Sequence, residues 1–311
     1  MIARVEPPLP PPSPPPDQGK SGSLFALTLA LLLPAGLYAQ LASPLGGLIW
    51  TELFVFLLPA VVATAGSNLE ARAWLRLRAP STAGAGLAFV VGSSGWFLGS
   101  ALFAAVRAVA PAGLVQRYDL SRLFEGSWVE QGAFALTATL VAPLCEEVAF
   151  RGYLTSAWLS RHRPAVAIGG SALFFALLHL DPIRAPSLVL LGVLYAWLSW
   201  RSGSIWPAVI AHATNNGIAA ALAILAPAGV EAAEPTLGMA LAGVGAGALG
   251  VALVTAIYAA AVQPAPRANG LPIADAADPS TRFHLGRLPI PLGVSILAGW
   301  VSLGAILLSA R

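Results

Sequence analysis

The sequence predicts an all-α fold, a polytopic membrane helix bundle of about eight or nine transmembrane helices. Of its 311 residues, 57% are hydrophobic and only 10% are charged, whereas soluble domains carry about 25% charged residues. The mean hydropathy is +0.76. Several apolar stretches also reach the roughly 18–20 residues that a bilayer core requires. A chain with so few charges cannot cover a water-facing surface of this size.

The order of segments predicts a tail followed by a series of spans. Residues 1–22 are rich in proline, which keeps a chain extended, so we expect a cytoplasmic tail without a fold. The next apolar run is interpreted as an uncleaved span rather than a signal peptide, because many spans come after it. The fifth and sixth spans are short enough to be partly re-entrant. The predicted spans are 23–42, 47–65, 83–109, 132–158, 165–180, 185–200, 204–228, 237–262 and 289–309.

Charge and composition indicate a membrane surface as the partner and not a nucleic acid. The net charge is +3, and the excess of arginine is better explained by positions near membrane surfaces. A cytoplasmic N-terminus places most basic loop residues inside, in agreement with the positive-inside rule. The richness in Ala, Gly, Pro and Arg, with a single lysine, is typical of a bacterium with a GC-rich genome. We therefore expect a multi-pass protein of the bacterial inner (plasma) membrane.

The single cysteine, Cys145, excludes an intrachain disulfide. It lies within a predicted span beside Glu146, where apolar surroundings favour the unreactive thiol over the thiolate. We interpret it as a small buried hydrophobic side chain rather than as a nucleophile.

Three carboxylates fall within the predicted spans, where charged side chains are costly and usually functional. Glu52 is near the outer end of the second span, and we interpret it as snorkelling to the interface. Glu146 and Glu147 lie in the middle of the fourth span. Glu147 and Arg151 are four residues apart and share a helix face, which predicts an ion pair. Glu146 points about 100° away and has no partner in its own helix, so it is the candidate general base.

Further polar side chains occur in two other spans. His179 follows Phe175 by four residues, and His212 precedes Asn216 by four. Taken singly, His179 is better explained as an interfacial or hydrogen-bonded residue, and His212 and Asn216 fit interhelical hydrogen bonding. Counted from the inner membrane surface at about 1.5 Å per residue, however, both histidines, Asn216 and Glu146 fall within about two helical turns in depth. This common depth predicts one shared site, and Pro143 weakens the helix close to it.

Three motifs in this order resemble those of the CPBP family of intramembrane proteases, also called the Abi or type II CAAX protease family. The resemblance covers roughly residues 130–220 and implies a catalytic helical core at 132–228, between N-terminal (23–131) and C-terminal (229–311) transmembrane helices. The motifs are EExxxR, FxxxH and HxxxN, at Glu146, Glu147, Arg151, Phe175, His179, His212 and Asn216.

The resemblance also implies roles for these residues. Glu146 would activate a water that His179 helps to hold, and His212 and Asn216 would stabilise the oxyanion or keep the site in shape. Glu147 and Arg151 would form a structural ion pair. Family members are commonly called metalloproteases, and Glu146, His179 and His212 are residue types that bind zinc. The sequence has no HExxH motif, so the cofactor stays open between zinc and a mechanism without metal.

The implied function is that of a membrane-embedded endopeptidase, a hydrolase acting by intramembrane proteolysis on a membrane protein or peptide. The substrate is a CAAX-like protein, a secreted peptide or a C-terminal sorting tail, and the sequence does not choose among these. Two other functions fit the same residues. Buried Glu, His and Arg also form proton relays, as in a proton-coupled transporter. A non-catalytic relative would act as a scaffold or in protection against a bacteriocin.

Overall fold

The fold is helical throughout the part of the chain that the structure describes. The computed structural model describes residues 30, 35–65, 71–119, 126–160, 162–225 and 235–264. No strand occurs within these ranges, which confirms the predicted all-α class. The proline-rich tail, most of the first predicted span and the ninth predicted span lie outside the described residues.

Two of the helices contain π-helical segments. The helix Pro44–Ala65 includes Thr51–Leu57, and the helix Trp128–Leu159 includes Thr137–Val141 and Val148–Leu154. The described helices, numbered in chain order, are α1 (Leu37–Ala42), α2 (Pro44–Ala65), α3 (Ala71–Trp74), α4 (Thr82–Val109), α5 (Ala112–Arg117), α6 (Trp128–Leu159), α7 (Pro164–Leu178), α8 (Ala185–Ser202), α9 (Trp206–Leu225) and α10 (Leu237–Ala261).

Five described helices, α2, α4, α6, α9 and α10, are long and apolar enough to cross a membrane, and α7 is apolar but shorter. The total of eight or nine spans, and a cytoplasmic N-terminus, stay predictions. An outward face of large apolar side chains is suited to lipid and not to water, and the chain is an integral membrane protein. Exposed apolar side chains occur on each of the five, for example Phe54, Phe89, Leu140, Leu222 and Leu249.

Short polar side chains set the ends of several helices. At the start of α6, the Ser127 hydroxyl accepts from the Glu130 N–H, while the Glu130 carboxylate accepts from the Ser127 N–H. This reciprocal pair satisfies two backbone donors that a helix start leaves free. Ser81 caps the start of α4, because its hydroxyl accepts from the Gly84 N–H. Gly203 follows the last residue of α8 and has the left-handed backbone (φ +66°) that glycine adopts at no steric cost.

Helix α6 packs on both sides, and this places its polar residues inside the bundle. On one side it meets α2 and α7, where the Phe150 and Phe175 rings lie edge to face with centroids 5.4 Å apart. On the other side Tyr153 packs against Trp74 of α3, with centroids 6.4 Å apart. Helices α4, α8, α9 and α10 share a further apolar cluster. The face of α6 that carries Glu146 and Glu147 is therefore shielded from lipid.

Glycines let helices approach closely at two places that matter for the site. A Cβ added to Gly92 of α4 would lie 2.4 Å from the carbonyl oxygen of Ala211, the residue before His212 in α9. A Cβ added to Gly192 of α8 would lie 2.9 Å from the Cα of Ala172 in α7. Small residues of this kind allow close backbone packing in lipid. The contact at Gly92 fixes where along α4 the His212 segment of α9 lies.

Candidate active site

The two adjacent glutamates of α6 lie in the interior of the bundle, between the two π-helical segments of that helix. The exposed fraction is 7% for Glu146 and zero for Glu147. Because consecutive helical residues point about 100° apart, the two carboxyls reach different neighbours. π-helical turns inside α-helices are frequent at functional sites.

Glu147 forms a buried ion pair with Arg151, which is itself anchored on α8. Arg151 Nη1 donates to Glu147 Oε1 at 2.9 Å, and Arg151 Nη2 donates to the carbonyl oxygen of Gly192 in α8 at 3.0 Å. Both side chains of this ion pair are fully buried. The pair has the i, i+4 spacing given in the sequence, and the structure adds its anchor on α8.

His212 lies between the two glutamates. Its Nδ1 is 3.0 Å from Glu147 Oε1 and its Nε2 is 3.7 Å from Glu146 Oε2. An ionised carboxylate can only accept, so Nδ1 carries the hydrogen of the first contact. The imidazole also stacks on Tyr195 of α8, with centroids 4.8 Å apart and planes 19° apart. Glu147 therefore orients His212, and Nε2 is left to face Glu146. The sequence predicted no role for Glu147 beyond the Arg151 pair, and no spacing could have shown this contact.

His179 reaches the site through Phe175. Its Nδ1 lies 2.8 Å from the Phe175 carbonyl oxygen, which accepts, so Nδ1 is protonated and Nε2 is the free acceptor. The Phe175 ring packs against both imidazoles, with centroids 4.8 Å from His179 and 5.7 Å from His212. Within the described part of the chain, no hydrogen bond or ion pair joins His179 to a glutamate.

Asn216 contacts the widened turn that precedes Glu146. In the π-helical segment, the Ala142 N–H donates to the Thr137 carbonyl, five residues back. The next donor in that register would face Ala138, but Pro143 has no N–H. Asn216 Nδ2 instead donates to the Ala138 carbonyl at 2.9 Å. This bond satisfies an acceptor that the proline leaves free, and the second N–H of the same amide remains for another partner.

The interpretation of Glu52 as an interfacial, snorkelling side chain was wrong. Glu52 is 2% exposed and lies in the π-helical segment of α2 that packs against α6. Its carboxyl is close enough to that of Glu146 for a direct electrostatic interaction. The interpretation considered only the position of Glu52 along its span, whereas the helix face decides whether a side chain meets lipid or protein. A third carboxyl thus belongs to this site, and buried Cys145 lies beside both Glu52 and Glu146.

The side chains do not fit the zinc site that the residue types allowed. Among the described residues, no three His, Cys, Asp or Glu side chains converge to hold a metal ion. Of the three candidate ligands, Glu146 and His212 face each other at 3.7 Å, whereas no hydrogen bond or ion pair joins His179 to either of them among the described residues. The mechanism below is therefore built from the side chains alone.

Comparison with known proteins identifies the domain that carries these residues. Residues 128–218 match the family described as Rce1-like, type II CAAX prenyl endopeptidase Rce1-like. All the residues of the three motifs lie within the match, and Glu52 lies outside it. No curated protein and no solved structure matches the chain. Residues 128–218 are thus similar to the type II CAAX prenyl endopeptidases, which supports the resemblance to the CPBP family that the three motifs predicted.

Proposed function

We propose that this protein is an intramembrane endopeptidase that hydrolyses a peptide bond of a membrane-associated protein or peptide, with Glu146 as the base. One observation carries the proposal. Glu146 Oε2 is buried, has no hydrogen-bond partner among the described residues and faces His212 Nε2 at 3.7 Å. Buried polar atoms in native proteins are normally satisfied by protein or by water. Glu147 Oε2 also has no partner among the described residues, but the Glu147 carboxylate is already bound to Arg151 and His212 through Oε1. Glu146 Oε2 is therefore the place where we expect the attacking water.

The proposed reaction gives one role to each of four side chains, Glu146, His179, His212 and Asn216. Water attacks the scissile carbonyl carbon while Glu146 removes one of its protons, and the Nε2 of His179 accepts a hydrogen bond from the same water. The negative charge that develops on the carbonyl oxygen needs donors at fixed positions. The free N–H of Asn216 is one such donor, and His212 as an imidazolium would supply a second from Nε2. The apolar surroundings strengthen these interactions because they exclude bulk water.

Glu147 and Arg151 support the reaction without touching the substrate. Glu147 fixes the rotation of the His212 ring, and Arg151 fixes Glu147 by joining it to the backbone of α8. Catalytic groups must be held within a fraction of an ångström of productive geometry. The buried ion pair supplies that support.

The test compares membrane peptides in cells that carry the wild-type protein or Glu146→Gln. We expect at least one peptide to be processed only in the wild type, and its sequence will tell whether the substrate is a CAAX-like protein, a secreted peptide or a sorting tail. The purified wild type, reconstituted in lipid vesicles, should then cleave that peptide. Glu130→Gln is the matched control, because it removes an exposed carboxylate from the start of the same helix.

Two outcomes would contradict the proposal. Complementation of a deletion strain by Glu146→Gln would favour a non-catalytic scaffold or bacteriocin-protection protein. Proton flux across vesicles that requires Glu146, without cleavage of any peptide, would favour a transporter.

A further inference from the structure

Glu52 is a buried carboxyl that the proposed reaction does not use. It lies on α2, in the segment Thr51–Leu57 that packs against Ala142–Glu147 of α6. Glu52 and Glu146 are both buried where these two segments are in contact, close enough for a direct electrostatic interaction between the carboxyls. Glu52 Oε2 is buried and has no hydrogen-bond partner among the described residues. An unpartnered polar atom buried beside the candidate base requires a physical reason.

The charges around the two carboxyls do not allow both to be ionised. The site holds three carboxyls, from Glu52, Glu146 and Glu147, against two cations among the described residues, Arg151 and the His212 imidazolium of the proposed reaction. The imidazolium faces Glu146 and Glu147. Arg151 is already bound to Glu147 and to the Gly192 carbonyl. Two carboxylates close together in a low dielectric repel each other, and such pairs hold one proton between them. With Glu146 ionised as the base, the shared proton lies on Glu52.

The leaving group of the proposed reaction needs a proton donor, and neither histidine has an N–H free for it. Amide hydrolysis needs a proton on the departing nitrogen, since an amide anion is too poor a leaving group. His179 has its one N–H on the Phe175 carbonyl. The Nδ1–H of His212 is on Glu147, and its Nε2 serves the oxyanion. Two carboxyls remain as donors, namely Glu146 after it has taken the proton of water, and Glu52, which holds its proton from the start when Glu146 is the base.

We propose that Glu52 is a further catalytic residue, the general acid that protonates the leaving nitrogen, and this inference rests on the proposed peptidase function. Glu146 removes one proton from water as the water oxygen bonds to the scissile carbonyl carbon. As the C–N bond breaks, the Glu52 O–H gives its proton to the nitrogen. Glu146 is then protonated and Glu52 ionised, and proton transfer from Glu146 to Glu52 restores the starting state. One water is consumed, one carboxylic acid and one amine are formed, and no other reactant is needed.

The kinetic test compares two substrates that differ only in their leaving group. The first is the peptide identified by the wild-type and Glu146→Gln comparison, and the second is its depsipeptide, with an ester in place of the scissile amide. An alkoxide leaves more readily than an amide anion and depends less on a general acid. Glu52→Gln should therefore lower amide hydrolysis by about 10²- to 10⁴-fold and ester hydrolysis by less than about tenfold. Glu52→Asp, which retains a carboxyl, should keep more amide activity than Glu52→Gln.

Control variants separate this inference from the proposed function. Glu146→Gln should lose hydrolysis of both substrates, and full activity of that variant would overturn the base itself. Thr51→Val, a change at the adjacent buried side chain of the same segment, should affect amide and ester equally. If Glu52→Gln also lowers both rates equally, Glu52 is structural and the general-acid role is wrong. If Glu52→Gln cleaves the amide as fast as the wild type, Glu146 returns the proton itself.

A second measurement needs no substrate. Infrared spectra of the reconstituted full-length protein at neutral pH should show a carbonyl-stretch band of a protonated carboxyl that shifts in D₂O. We expect Glu52→Gln to remove this band, Glu146→Gln to move it, and Glu130→Gln to leave it unchanged. The band could persist in Glu52→Gln or keep its position in Glu146→Gln. Either result would show that Glu52 is not the protonated carboxyl next to Glu146.

Discussion

The two adjacent carboxyls of α6 differ in how completely the protein satisfies them. Glu147 accepts from Arg151 at 2.9 Å and from His212 at 3.0 Å, and it is fully buried. The Oε2 atoms of both carboxyls are buried without a hydrogen-bond partner among the described residues. The neighbours of Glu146, however, are His212 at 3.7 Å, beyond hydrogen-bond distance, and the carboxyl of Glu52. The difference separates a carboxylate that holds the structure from one that is free to react.

The largest expected effect is that of Glu146→Gln on activity. Replacing the base while keeping the shape of the side chain should lower the cleavage rate by about 10²- to 10⁴-fold. The thermal unfolding temperature of the purified variant should change little, because the contacts of Glu147 with Arg151 and His212 are intact. The rate is measured on the peptide that only wild-type cells process. A large loss of stability with this variant would mean that Glu146 is structural as well.

Arg151→Met tests whether Glu147 is the carboxylate that stabilises the structure. It removes the partner of Glu147 but keeps an unbranched apolar side chain, so that a fully buried carboxylate loses its counter-charge. Breaking a buried pair in this way costs about 3–5 kcal/mol. The free energy of unfolding in detergent measures the effect. Arg184→Ala is the control, because the Arg184–Asp181 pair is partly exposed and such pairs contribute about 0–1 kcal/mol.

Gly92→Ala should disturb both carboxyls at once through the position of His212. The new Cβ would meet the Ala211 carbonyl oxygen at 2.4 Å, so α4 and α9 must separate. We expect a loss of about 1–3 kcal/mol in stability and reduced cleavage. Gly86→Ala on the same helix is the control, since its added Cβ meets nothing within 4 Å. Equal behaviour of the two variants would show that the close approach of α4 to α9 is unimportant.

Asn216→Ala should have a smaller effect on stability that is centred on the turn before Glu146. It leaves the Ala138 carbonyl without its donor, at a cost of about 1–2 kcal/mol. Loss of an oxyanion donor would add a fall in rate on the order of 10²-fold. Asn216→Asp keeps an acceptor but no donor, and it should resemble the alanine variant in both measurements. If Asn216→Asp behaves like the wild type, the bond to Ala138 does not support the turn.

The sequence predicted relations within one helix better than relations between helices. The i, i+4 spacing gave the Glu147–Arg151 pair, and the common depth of the polar residues indicated a shared site. The spacing could not show which helix faces α6 or how each helix is rotated about its axis. For this reason Glu52 was assigned to the interface, and the bond from His212 to Glu147 was missed. Regular 3.6-residue periodicity also cannot reveal the three π-helical segments of α2 and α6. Each of them changes the direction in which the residues after it point around the helix axis.

The π-helical segment at Thr137–Val141 has a consequence for changes in chain length. A widened turn holds one residue more than an α-turn spans, so the chain can lose a residue there and close into ordinary helix. A one-residue deletion in this segment should leave the later part of α6 in phase with its neighbours. A one-residue insertion in the regular helix after Pro143 would instead turn everything beyond it by about 100°. The bulge thus makes this stretch of α6 tolerant of shortening and intolerant of lengthening.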